Sequence, residues 1–119
     1  MVASSIFHVI SHEVTPFPLI TENPELNGVD FDWEYPGAQD IPHIKPGSKD
    51  EGANYLSFLR TLRSLLPEGK SLSIAIPSSY WYLRGFPVAE MSNVVDYFIY
   101  MTYDLHGRHR HLAVYFDSC

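Results

Sequence analysis

Five residues constrain this chain more than any other stretch: Asp30-Phe31-Asp32-Trp33-Glu34. From Val29 to Tyr35 apolar and acidic residues alternate, with Val29, Phe31 and Trp33 set against Asp30, Asp32 and Glu34. Period two is the pattern of a β-strand with two unlike faces. All three acids then project from one face, successive members ~6.7 Å apart. Like charges on one face oppose folding. A solvated outer face is the plain alternative, and it is weakened because the opposite, apolar face needs covering too. A parallel strand covered on both faces buries its acids unless that face lines a cavity. A closed barrel meets both demands, with helices outside and the acids pointing inward.

The rest of the chain fits alternating strand and helix. A Pro/Gly-rich loop follows the acidic row, and Ser48-Lys49-Asp50-Glu51 offers a capping box. Tyr55, Phe58, Leu59, Leu62, Leu65 and Leu66 then repeat at three and four, one helical face. Pro67 and Gly69 stop that helix. Leu72–Ile76 reads as a second strand ended by Pro77, Val88–Asn93 as a weaker helix, and Val95–Tyr103 as a third, aromatic-rich strand. This order predicts an α/β fold with parallel pairing and right-handed crossovers.

Composition excludes several functions. The net charge is −6, and no Lys or Arg precedes Lys45, which argues against a nucleic-acid partner. The single cysteine, Cys119, excludes an intrachain disulfide and a cysteine-based zinc site. No apolar run approaches the ~20 residues of a membrane span. The first residues do not read as a signal peptide: no Lys or Arg precedes their apolar stretch, and His8, Ser11 and His12 break it.

Crowded carboxylates cannot all ionise cheaply, and holding a proton toward neutral pH is how a general acid is made. The last acid on a parallel strand lies nearest the C-terminal rim, where α/β barrels keep their chemistry. Glu34 holds that position, with Asp32 one step below. The third strand ends alike: Met101 and Tyr103 share a face and Asp104 follows.

Asn27-Gly-Val-Asp-Phe-Asp-Trp-Glu34-Tyr-Pro resembles the family 18 glycoside hydrolase (chitinase) signature Asp-Gly-x-Asp-x-Asp-x-Glu, and Met101-Thr-Tyr-Asp104 resembles its second motif, Met-x-Tyr-Asp. Around them, DFDWEYPG, DEGANYLSFLRTLRSLLP and SSYWYLRGFP look like fungal chitinases of the killer-toxin-like type. Asn27 departs from the motif's usual Asp. The resemblance implies a fragment of a (β/α)8 TIM barrel, strands four to six of eight, over residues 26–107. Residues 1–25 and 108–119 are left unassigned. The third-strand Ser-x-Gly-Gly motif and the tryptophan flooring the sugar site are not found, so the chain reads as a partial barrel with impaired activity.

The implied reaction is retaining hydrolysis of β-1,4-linked N-acetylglucosamine in chitin, with the substrate's own acetamido group as nucleophile. By position, Glu34 is the proton donor. Asp32 orients the acetamido group, Asp30 tunes Asp32, and Tyr103 hydrogen-bonds the acetamido carbonyl. Met101 and Asp104 line the subsite, and Tyr35 and Trp81 are further sugar contacts. No metal or cofactor, no defined protein partner and a secreted location are implied.

Two other readings stay open: a non-catalytic chitin-binding or inactive fragment, and a magnesium-dependent hydrolase using the Asp/Glu row. His8 with His12, or His106, His109 and His111, would bind a metal only if brought together. The HGRHRH run is read as a solvated tail. Tyr80, Trp81, Tyr82 and Phe86 belong either to the rim, stacking on sugar, or to the core.

Overall fold

The computed structural model describes residues 22–103. Three parallel strands form one sheet in the order β1 (Gly28–Phe31), β2 (Ser71–Pro77), β3 (Tyr97–Met101). Helix α1 (Glu51–Leu65) joins β1 to β2, and two single-turn helices, α2 (Tyr80–Leu83) and α3 (Val88–Met91), lie between β2 and β3. The α/β class and the parallel pairing agree with the sequence pattern.

Central strand β2 explains how the layers form. Its Leu72, Ile74 and Ile76 are buried with Phe31 and the apolar side of α1. The alternate positions, Ser71, Ser73 and Ala75, are small and face away from that core. On α1 the buried residues are Gly52, Tyr55, Leu56, Leu59 and Leu62. Full burial of a leucine such as Leu59 stabilises by about 2 kcal/mol. Leu65 was expected in this stripe but is 47% exposed. At 100° per residue it points about 120° away from Leu59, whereas Leu56 falls within about 60°.

Strand lengths also differ from the alternation. β1 ends at Phe31, opposite Ile74, rather than at Tyr35. Beyond it Trp33, Tyr35 and Pro36 are held by contacts off the ladder. β3 ends at Met101, opposite Pro77, because proline has no N–H to extend the pairing. The capping box does not form either. Helix α1 begins after Asp50, with no side-chain cap. The Glu51 carboxylate instead accepts the Gly37 N–H at 2.8 Å.

Polar groups close the end where the strands begin. Asp96 Oδ2 accepts the Leu72 N–H at 2.7 Å and an Arg63 N–H at 3.2 Å. The Asp96 N–H donates to the Leu72 carbonyl at 2.8 Å. Lys70 Nζ donates to the carbonyls of Pro24 and Leu26, at 2.8 and 2.6 Å, and Arg63 donates to the Lys70 carbonyl at 3.2 Å. These groups fix the backbone that leads into β1, β2 and β3. Among the described residues no helix is long and apolar enough to cross a membrane.

Candidate active site

Register places the small-residue face of β2 between the two rows of expected site residues. Asp30 pairs with Ser73, which pairs with Tyr97, and Pro77 pairs with Met101. Parallel partners share a face, so Asp30, Ser73, Ala75, Ile99 and Met101 look the same way. The Ser73 hydroxyl donates to Asp30 Oδ1. Ser73 is 1% exposed, so the donor end of this part-buried bond is closed to water. Asp30 is thereby fixed on one oxygen from the neighbouring strand.

The acids above Asp30 sit on irregular chain. Asp32 is half-buried, with Oδ1 closed to solvent. Glu34 is exposed, at a bend, and the Glu34–Tyr35 peptide bond is cis. Its neighbours are anchored. Trp33 packs edge-on against Tyr55, ring centroids 5.1 Å apart. Tyr35 stacks on Tyr82 at 4.4 Å. Pro36 is fully buried. Phe31 meets Phe58 edge-on at 5.2 Å, so Phe31 and Trp33 turn toward α1 as the alternation requires.

Two tyrosines feel the acids. Burial pushes the Tyr55 phenol well above its ordinary value, and the charges of Asp30 and Asp32 add to this. Its hydroxyl is buried without a hydrogen-bond partner among the described residues. Tyr82 is raised by burial, then by the nearby Asp40 carboxylate. Among the described residues no three of His, Cys, Asp and Glu gather in a metal-binding group.

The aromatic run after β2 divides. Phe86 joins the core, while Tyr80 and Trp81 are open, Trp81 being 52% exposed. The Arg84 guanidinium lies 3.8 Å from the Trp81 ring centre. This covers one side of the indole, which stays half exposed. Met101 is buried beside Pro77, whereas Tyr103 lies two residues past β3 and is 73% exposed. Tyr103 was expected on the strand and is not. Asp104, His8, His12, His106, His109, His111 and Cys119 lie outside the described residues. Ser73, Glu51 and Tyr82 were missed as supports of the acidic segment. For Ser73 the signal was present, since SLSIAIP alternates small and large residues.

The family model described as Glycosyl hydrolases family 18 matches residues 2–118. The chain belongs to glycoside hydrolase family 18. This family 18 chain is 61% identical over 84 residues to a probable chitinase, LysM18, of Penicillium expansum, covering 71% of this chain and 6% of that protein. It is 60% identical over 82 residues to the killer toxin alpha/beta subunits of Kluyveromyces lactis, covering 69% and 7%. Among solved structures it is similar to a glycoside hydrolase family 18 N-acetylglucosaminidase from Paenibacillus barengoltzii. That likeness has a TM-score of 0.68 and 33% identity, and covers 78% of this chain and 29% of that one. The family 18 chain thus spans a small part of the length of these relatives.

Proposed function

We propose that residues 26–107 supply strands four to six of an eight-stranded barrel that hydrolyses β-1,4-N-acetylglucosamine linkages with retention, in a secreted protein acting on chitin. The observation that carries this reading is the mounting of Glu34: an exposed carboxyl whose flanking residues are all anchored, above an Asp30 fixed by Ser73.

Glu34 protonates the glycosidic oxygen as the bond to the anomeric carbon breaks. The sugar's acetamido oxygen attacks that carbon, and Asp32 orients the acetamido group and balances the positive oxazolinium. Water then opens the ring, and Glu34 takes back a proton. Asp30, held by Ser73, sets the position of Asp32 from below. Tyr103, Met101 and Asp104 bound the sugar's acetamido side, and Tyr35 and Trp81 contact further sugar. The three strands of the described residues do not by themselves close a barrel, so the isolated 119-residue chain is expected to turn over substrate poorly.

The test is Glu34→Gln in a form of the protein that cleaves a fluorogenic chitobioside. Turnover should fall by about a thousandfold, the size of a lost general acid, while chito-oligosaccharide binding is retained. Near-parental turnover would sink the assignment.

A further inference from the structure

We propose that the connection after β2 is a mould for the Glu34 turn, with Gly85 as its central positioning residue and Tyr82 and Glu51 as its two straps. The proposal rests on Glu34 being the proton donor, and it concerns what holds that group in place.

Three stretches of backbone meet beside the turn. A Cβ built on Gly85 would fall well inside van der Waals contact distance of the Pro36 carbonyl oxygen. A Cβ on Gly52, in the first turn of α1, would do the same to the Gly85 carbonyl oxygen. Any side chain at either position therefore pushes one backbone off another. Pro36 is two residues from Glu34 and fully buried, so a displacement there is transmitted along stiff chain rather than absorbed by solvent.

The straps act on either side of this contact. Tyr82 lays its ring on Tyr35, centroids 4.4 Å apart, and its phenol lies near the Asp40 carboxylate of the same β1–α1 loop. Gly85 itself is tied to Tyr82, its N–H donating to the Tyr82 carbonyl at 2.9 Å. Glu51 binds the Gly37 N–H from the start of α1. Residues 35, 36 and 37 thus each have a partner outside their own loop, while Glu34 beside them is exposed. Positional errors near 1 Å cost a reaction about a hundredfold, so a mould of this kind acts on rate rather than on affinity.

Amide hydrogen exchange on the 119-residue chain tests the mould directly. Gly85→Ala and Tyr82→Ala should each speed exchange at the Gly37 amide by about tenfold or more and leave Ile74, in the central strand, within about twofold. Glu51→Ala should do likewise, and Glu51→Gln, which keeps an acceptor oxygen, should restore most of the protection. In a form that cleaves chitobioside, Gly85→Ala should lower kcat by about a hundredfold with KM changed only a few fold.

An unaltered Gly37 amide in both the Gly85 and Tyr82 variants would overturn the proposal. So would equal acceleration at Ile74 in both, or a raised KM with kcat intact. Glu34→Gln separates the two ideas. If it keeps turnover, the assignment of the acid fails while the exchange results still decide the mould.

Discussion

The two ends of the sheet use polar residues in opposite ways. Where the strands begin, Arg63, Lys70 and Asp96 direct their charges at backbone atoms and at each other. Where the strands finish, Glu34, Tyr80, Trp81 and Tyr103 are exposed, and the backbone beneath them is held by ring stacking and close glycine contacts. On the proposed reading the difference teaches that stability and chemistry are assigned to separate ends, the division expected of an α/β barrel. Substitutions should therefore divide cleanly into those that change melting and those that change rate.

The sharpest contrast pairs Glu34→Gln with Asp96→Ala. The first should remove about a thousandfold in turnover and leave the thermal midpoint almost unmoved. The second should leave the chemistry of surviving protein intact and cost about 2 kcal/mol in denaturant unfolding. Most of that cost is the abandoned Leu72 N–H. The Arg63–Asp96 pair is half open to water and contributes little by itself. Asp96→Asn, which keeps an acceptor, should recover the larger share. If Asp96→Ala abolished the rate per folded molecule, the division between the ends would fail.

Ser73 lies between the two ends and sharpens the comparison. Ser73→Ala removes the hydroxyl on Asp30, and should cost about 1 kcal/mol in stability together with about tenfold in kcat. Ser73→Thr, which keeps the hydroxyl, should restore part of the rate. A purely stability effect would move Ser73 into the structural set.

The smallest effect is expected at Tyr55. Its folded phenol is raised above its ordinary value of 10.0. The stability linked to its neutral form is therefore complete below pH 10 and is lost as pH climbs from there toward the folded-state pKa. Tyr55→Phe should abolish that part of the alkaline decline. Below pH 10 it should be neutral or stabilising by up to about 1 kcal/mol, since the buried hydroxyl has no partner. Denaturant melts at pH 8 and 10.5 would show it, and an unchanged alkaline decline would refute the cause assigned here.

Much of this layout was legible in the residues. The alternation through Phe31 and Trp33 assigned the helix-facing side correctly, because side-chain direction in extended chain is a local property. Where each strand stops was not legible, because ladder length depends on the partner: Pro77 of β2 ends β3 at Met101. The capping box at Ser48 and Glu51 was a local signal overridden by a distant donor, the Gly37 amide. In the run from Tyr80 to Phe86, local chemistry is nearly uniform. Only packing against the sheet separates Phe86 in the core from Trp81 at the rim. Family membership was the most legible feature, since two motifs carry it.

The cation lying over Trp81 has an optical consequence. The chain has two tryptophans, and their surroundings are unlike: Trp33 is wedged against Tyr55, while Trp81 is open under Arg84. An indole in water emits at longer wavelength than one in a packed layer, and a guanidinium nearby attracts an anionic quencher such as iodide. Red-edge emission, quenched by iodide, therefore reports the rim, and blue-edge emission reports the packing behind the acids. One unlabelled sample carries both signals.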